Sequence, residues 1–182
     1  DLGYIHFDTA ESYSAGHSEE LLGQAVRQSG IPREKLFITT KVSPDHLQFD
    51  DVLRSCEGSL RRLGMDYVDL CLIHWPQVGM KLPETFRALN QLVREGKVRH
   101  VGVSNFNLKQ LKQSVELCER PLLTNQVSYS IPDRTIVKNG VLEYCQQNNV
   151  LVTAYSPVKR RNVKSNSALA AIAAARGASP QQ

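Results

Sequence analysis

Residues 3–13 read GYIHFDTAESY, and this stretch decides which fold the chain can build. Tyr4–Phe7 has the length and the apolar, aromatic composition of a β-strand. In a doubly wound dinucleotide-binding fold, a glycine-rich G-x-G-x-x-G loop usually follows the first strand, because the backbone must approach a pyrophosphate there. Here the polar, reactive residues Asp8 and Tyr13 follow instead. The stretch therefore argues against that glycine-rich fold.

Strand-like runs alternate with helix-like runs along the rest of the chain. The strand-like runs start 24 to 32 residues apart, at Tyr4–Phe7, Leu36–Thr40, Val68–Ile73, Val98–Val103, Leu122–Asn125 and Val150–Ala154. Between them, apolar residues recur at helical spacing. Ser18, Asp50 and Asn107 are predicted helix N-caps, while Gly64 and Gly96 suit helix ends. The pattern predicts an α/β protein with a parallel sheet, either doubly wound or closed into a barrel.

Polar side chains at the ends of the predicted strands favour the barrel. They are Asp8, Lys41, His74, Ser104, Asn105, Gln126, Tyr155 and Ser156. In a (β/α)₈ TIM barrel the carboxyl ends of all strands meet at one mouth, where the active site lies. A complete barrel needs roughly 250 residues, so 182 residues hold about six of its eight β-α units. We therefore expect residues 1–182 to form a single incomplete barrel domain that lacks a first strand and a last unit, and that folds poorly alone.

Composition excludes several classes of protein. The formal charge is +4 and no apolar run is long enough for a membrane span, so neither a nucleic acid nor a membrane is an expected partner. A basic cluster at residues 159–161 is either a solvated loop or a phosphate contact. The cysteines, Cys56, Cys71, Cys118 and Cys145, lack metal-site spacing, which predicts reduced thiols in the cytoplasm and no metal.

Four residues from three successive strands form a candidate catalytic group: Asp8, Tyr13, Lys41 and His74. Adjacent strands lie about 4.8 Å apart, which brings such side chains within hydrogen-bonding range. Tyrosine is a weak acid near neutral pH, but a neighbouring ammonium makes the phenol a better proton donor. Lys41 could supply that charge, Asp8 could hold the lysine, and His74 could orient a substrate oxygen. Taken singly, each residue could instead be structural.

Several motifs resemble the signatures of the aldo-keto reductase superfamily, in the order found in that family. They are residues 3–10 with Tyr13 and Glu19, Thr39–Lys41, Leu70–Pro76, Gly96–Phe106, Asn125–Val127 and Ala154–Pro157. They cover nearly the whole chain. After Tyr13 the chain reads SAGHSE where many members have a shorter Gly-Asn-Glu link, a difference that resembles bacterial members and favours a bacterial origin.

The resemblance implies an NADP-dependent reductase that converts an aldehyde or ketone to the alcohol by hydride transfer. Asp8, Tyr13, Lys41 and His74 would be the catalytic tetrad, with Tyr13 as general acid. The partner would be a small carbonyl compound, of unspecified identity, and the oligomeric state stays open. In the family, the groups that grip the adenosine 2′-phosphate come later than Gln182, so NADPH is implied by the family alone and NADH remains possible.

The resemblance also implies a set of cofactor-binding residues. Ser104, Asn105 and Gln126 would hydrogen-bond the nicotinamide carboxamide, Tyr155 would stack on the nicotinamide ring, and Ser156 would face the pyrophosphate. Trp75 is expected to line the substrate pocket, with core packing as the alternative.

Two other functions remain compatible with these residues. One is an aldolase-type barrel in which Lys41 forms a Schiff base with a carbonyl substrate. The other is a binding or regulatory module, since potassium-channel β subunits in this superfamily are partners of other proteins.

Overall fold

A computed structural model of the chain describes residues 3–158 and 167–181. Within these residues, six strands form one sheet whose order follows the chain, and every neighbouring pair is parallel. The strands are β1 (His6–Asp8), β2 (Phe37–Val42), β3 (Val68–Ile73), β4 (Val98–Ser104), β5 (Thr124–Ser128) and β6 (Leu151–Tyr155). The predicted alternation of strands and helices is confirmed.

Helices connect the strands on one side of the sheet. They are α1 (His17–Ser29), α2 (Phe49–Leu63), α3 (Leu82–Arg94), α4 (Leu108–Leu117), α5 (Thr135–Lys138) and α6 (Val141–Gln147). A further helix, α7 (Ser167–Ala175), comes after β6 in the chain. Short 3₁₀ turns lie at Tyr13–Gly16, Arg33–Lys35 and Pro44–His46.

The predicted helix caps are confirmed in part. Asn107 forms a capping box at the start of α4, and Gly64 ends α2 in the left-handed conformation with a φ of 65°. The assignments of Ser18 and Asp50 as N-caps are wrong, because α1 and α2 begin one or more residues earlier. The Ser18 hydroxyl is hydrogen-bonded to the Thr9 hydroxyl instead, so a contact with a neighbouring loop has replaced the local cap.

The sheet is strongly curled, as one hydrogen bond between distant strands demonstrates. Asp8 ends β1 and Gln126 lies in β5, four strands away. In a flat sheet, four steps of about 4.8 Å would separate these strands by about 19 Å. Nevertheless, Gln126 Nε2 donates to Asp8 Oδ2 at 2.8 Å. The sheet is therefore a partial (β/α)₈ barrel, and the predicted barrel is confirmed over the doubly wound alternative.

The main core lies between the outer face of this curled sheet and the helices. Ile38, Ile73 and Val103 from the strands pack there with Phe86 and Leu89 of α3, all fully buried. Burying this apolar surface stabilises the half-barrel by the hydrophobic effect.

Close packing inside the curl depends on one glycine of β4. A Cβ added to Gly102 would lie 2.7 Å from Leu72 Cδ2 and 2.9 Å from the Thr124 carbonyl oxygen. Both contacts are shorter than van der Waals separation, so a larger residue here would push the strands apart.

All four cysteines are free thiols, and Cys56, Cys71 and Cys145 are buried. Burial raises the pKa of Cys145 to about 11, so this thiol stays protonated near neutral pH. Among the described residues, no helix combines the length and the apolar character that crossing a bilayer requires.

Candidate active site

The carboxyl ends of the strands surround a cavity of about 550 Å³. Nine of the ten predicted site residues line it: Asp8, Tyr13, His74, Trp75, Ser104, Asn105, Gln126, Tyr155 and Ser156. The tenth, Lys41, lies beneath the cavity surface with a side chain that is completely buried. The structure therefore brings all the predicted site residues together at one mouth. The basic cluster at 159–161 lies outside the described residues.

Lys41 is held by three acceptors at the end of β2. Its Nζ donates to Asp8 Oδ1, to the Thr9 carbonyl oxygen at 2.8 Å and to Tyr13 Oη at 3.4 Å. An ammonium has three N–H donors, so all of them are engaged. This arrangement keeps a positive charge directly behind the Tyr13 phenol and gives the lysine little freedom to move.

Tyr13 presents its phenol to the cavity. It starts the 3₁₀ turn that follows β1, where its backbone N–H donates to the Ala10 carbonyl at 3.0 Å. The residue is 40% exposed, unlike the buried lysine behind it. Its ring meets the His74 ring edge-on, with centroids 5.5 Å apart. A substrate in the cavity could thus contact the phenol and the imidazole together.

His74 follows β3 and is anchored through its backbone. Its N–H donates to the Val42 carbonyl at 3.0 Å, and its own carbonyl accepts from Asn105 Nδ2 at 3.2 Å. Partial burial lowers the pKa of the imidazole, the Lys41 ammonium lowers it further, and Asp8 only partly opposes this. The ring is therefore neutral near neutral pH and can donate a hydrogen bond through only one of its nitrogens.

A hydrogen-bonded network of hydroxyls and amides occupies the ends of β4, β5 and β6. Ser104 Oγ donates to the Gln126 carbonyl at 2.8 Å and accepts from Asn105 Nδ2 at 2.9 Å. The Tyr155 hydroxyl donates to Asn105 Oδ1 at 2.8 Å. Asn105 has a φ of 64°, a left-handed conformation that asparagine tolerates better than most residues. The network fixes amide groups and one aromatic ring along the wall of the cavity.

Gln126 connects this network to the charged group around Lys41, through its hydrogen bond to Asp8. Sequence reasoning missed this contact, because 118 positions separate the two residues and no local pattern indicates their proximity. It also missed Thr9, whose backbone carbonyl binds Lys41, and Ser12, whose hydroxyl lies 3.3 Å from His74 Nδ1. The position of Ser12 one residue before Tyr13 was the only available signal for it.

Trp75 is 47% exposed and lines the cavity beside His74. Its side chain is therefore not part of the packed core, and its role in binding a substrate stays a prediction. Ser156 also reaches the cavity, from a backbone with a φ of 51° just after β6.

Comparison with known proteins places these features in one family. Residues 1–181 match the model of the aldo/keto reductase family. The chain is 37% identical over its whole length to a 9,11-endoperoxide prostaglandin H2 reductase of Trypanosoma cruzi, covering 63% of that protein. It is 36% identical to a glyoxal reductase of Bacillus subtilis, with 94% of this chain and 59% of the relative aligned. The chain thus spans about three fifths of the length of these relatives.

Solved structures show the same similarity in three dimensions. The thermostable aldo-keto reductase Tm1743, crystallised with the inhibitor epalrestat, superposes with a TM-score of 0.94 at 45% identity, over 99% of this chain and 66% of that one. An aldo-keto reductase from Klebsiella pneumoniae in complex with NADPH superposes with a TM-score of 0.87 at 36% identity, over 98% and 63%.

Proposed function

This chain belongs to the aldo/keto reductase family, and from that premise we propose that the protein containing it reduces an aldehyde or ketone to the alcohol with a nicotinamide cofactor. The observation that carries the proposal is the buried Lys41 ammonium, hydrogen-bonded to the exposed Tyr13 phenol at the cavity wall. Residues 1–182 would form part of one (β/α)₈ barrel domain, to which they contribute six β-α units.

In the proposed reaction, Tyr13 Oη gives its proton to the carbonyl oxygen as that oxygen becomes an alkoxide. Lys41 stabilises the phenolate that remains, since opposite charges a few ångströms apart attract strongly at a partly buried site. Asp8 holds the ammonium in place from the other side. His74 orients the carbonyl oxygen through the N–H of its neutral ring. In the reverse direction the phenolate would accept the proton from an alcohol.

The group at the ends of β4 to β6 fits a nicotinamide. Asn105 and Gln126 offer amide groups that match a carboxamide, Ser104 holds Asn105 in place, and the Tyr155 ring offers a stacking surface. Ser156 would face the pyrophosphate. When bound there, the reduced cofactor would supply the hydride. The NADPH complex of the Klebsiella relative supports NADPH as the cofactor.

The substrate would be a small carbonyl compound. The B. subtilis relative is a glyoxal reductase, and a cavity of about 550 Å³ that also receives a nicotinamide ring leaves room for a compact substrate. Trp75, exposed on the cavity wall, would contact the substrate beside His74.

The aldolase alternative is disfavoured by the surroundings of Lys41. A Schiff-base lysine must attack a carbonyl carbon with a free amine. Here the Nζ is completely buried and donates to three acceptors, so a substrate in the cavity meets the Tyr13 phenol first.

The proposal is tested by following NADPH oxidation when the full-length protein is mixed with small aldehydes such as glyoxal. We expect turnover in the wild type, near-complete loss in Lys41→Met, and no change in Lys35→Met, which removes an exposed lysine six positions away. Absence of NADPH-dependent turnover with every carbonyl compound offered, or borohydride trapping of a substrate on Lys41, would contradict it.

A further inference from the structure

The Ser12 hydroxyl is directed at the His74 ring and not at its own backbone. Ser12 occupies the N-cap position of the Tyr13–Gly16 turn, where a serine side chain usually accepts a hydrogen bond from the following N–H groups. No such capping bond forms. Instead, Ser12 Oγ lies 3.3 Å from His74 Nδ1, within hydrogen-bonding distance across 62 positions of sequence. The hydroxyl has therefore exchanged a local contact for one with the imidazole.

This contact bears on which nitrogen of His74 carries the proton. A neutral imidazole has one N–H donor and one acceptor nitrogen, and a partner at one nitrogen determines the role of the other. If the Ser12 hydroxyl donates to Nδ1, the proton resides on Nε2 and the ring can donate from there. If Ser12 accepts from Nδ1, Nε2 becomes an acceptor and repels a carbonyl oxygen.

The surroundings of the ring favour its neutral form. Among the described residues, four ionisable groups face it. Tyr13 meets the ring edge-on from the turn after β1, and Lys41 approaches from β2. Asp8 in β1 and Glu11 in the loop that follows it exert weaker, opposing effects on the pKa of the imidazole. Burial and the ammonium lower the pKa of the imidazole. Because the ring is neutral, its single proton can lie on either Nδ1 or Nε2. A hydrogen bond from one hydroxyl can determine which of the two forms is present.

We propose that Ser12 is a positioning residue, which donates to His74 Nδ1 and so keeps the ring proton on Nε2, where it can bind the substrate oxygen. The identity of that oxygen as a carbonyl rests on the proposed function. The effect of Ser12 on the position of the ring proton does not depend on the proposed function, so the role of Ser12 and the proposed function can be tested separately.

Nitrogen NMR of isotopically labelled histidine in the full-length protein tests the control of the ring. The His74 signals are assigned by their disappearance in His74→Gln. We expect the wild type to show Nδ1 as the acceptor and Nε2 as the protonated nitrogen. Ser12→Ala should shift the ring toward the form with the proton on Nδ1, and Ser12→Thr, which retains the hydroxyl, should restore the wild-type signals. A wild-type ring with its proton on Nδ1, or a Ser12→Ala spectrum identical to wild type, would overturn the proposal.

Kinetics test the consequence for catalysis. Because one hydrogen bond to the reacting oxygen is at stake, Ser12→Ala should lower kcat roughly threefold to tenfold with a smaller effect on KM. Ser12→Thr should retain most activity. Ser14→Ala, which removes an exposed hydroxyl from the same turn, should leave kcat unchanged. An equal loss in Ser14→Ala and Ser12→Ala would overturn the specific role of Ser12. The expected NMR shift in a protein that reduces no carbonyl compound would support the control of the ring and contradict the proposed function instead.

Discussion

Two ionic clusters lie on opposite faces of β2, and adjacent residues of that strand contribute to them. Lys41 points into the curl of the sheet, where it forms the mouth cluster with Asp8 and Tyr13. Thr40 points toward the helices, where it donates to Glu19. Arg62 Nε binds the second oxygen of that carboxylate at 2.7 Å, completing the helix-side cluster of Glu19, Thr40 and Arg62. The alternation of side chains along a strand thus separates the two groups.

The clusters differ in what their members can reach. Glu19 is completely buried and both its carboxylate oxygens bind protein groups, so the helix-side cluster can only hold α1 and α2 against the sheet. The mouth cluster also has a completely buried member, Lys41, but its ammonium is hydrogen-bonded to the Tyr13 phenol, which is 40% exposed to the cavity. Similar ion pairing therefore stabilises the fold on one face and supports chemistry on the other.

A glycine lies between the two clusters. Gly16 ends the turn that begins with Tyr13, and its φ of 91° suits glycine. A Cβ there would lie 2.6 Å from Arg62 Cδ. A side chain at position 16 would therefore have to displace the Arg62 side chain, so the turn that presents the phenol packs directly against the arginine of the helix-side cluster.

The largest expected effect comes from removing the proton donor of the mouth cluster. Tyr13→Phe should lower kcat/KM for carbonyl reduction roughly a hundredfold to ten-thousandfold, because only the acid is lost. Cofactor affinity and the melting temperature should change little, since the phenol is partly exposed. Tyr4→Phe, at a residue that is 75% exposed, is the matched control. Steady-state kinetics, cofactor titration and thermal melting of both variants measure these quantities. Substantial activity in Tyr13→Phe would show that another group donates the proton.

The next effect is on stability and comes from the helix-side cluster. Arg62→Leu leaves the Glu19 carboxylate buried without its cation, which should lower the free energy of unfolding by about 3 kcal/mol. Arg61→Leu, at the exposed neighbouring position, should change it by less than about 0.5 kcal/mol. Denaturant unfolding of both variants measures the difference. The fraction of Arg62→Leu molecules that remains folded should keep a near-normal kcat. If the two arginine variants were equally stable, the cluster would have no stabilising role.

The smallest effect concerns pH and returns to the mouth cluster. The pKa of His74 is lowered in the folded protein. As the pH falls below about 6.5, the unfolded chain therefore binds a proton at His74 while the ring in the native protein is still neutral. His74 thus makes its full contribution to stability above that range and loses it as the pH falls. The wild type should therefore lose slightly more stability than His74→Gln on acidification from about pH 7.5 to about pH 5.5. Parallel losses, measured by denaturant unfolding at each pH, would contradict the lowered pKa.

Local signals explain how much of this protein could be predicted. The strand at Val68–Ile73 was predicted with the bounds that the structure shows, because a short apolar run between turn signals has few alternatives. The cap at Asn107 was predicted because its capping box involves only near neighbours in sequence. The cap at Ser18 was predicted wrongly, since the Thr9 hydroxyl competes for its side chain. In these three cases, the prediction succeeded where the deciding contact was local.

By itself, the sequence determined the repeating β-α pattern, the family and the residues at the strand ends, because spacing along the chain and motif order carry that information. Only the tertiary structure decided that Gln126 touches Asp8 and that Ser12 faces His74. It also decided that Lys41 and Thr40 serve different clusters. The physical reason is that these contacts join residues from 21 to 118 positions apart, and they form only when the twist and packing of the whole sheet bring the strand ends to one mouth.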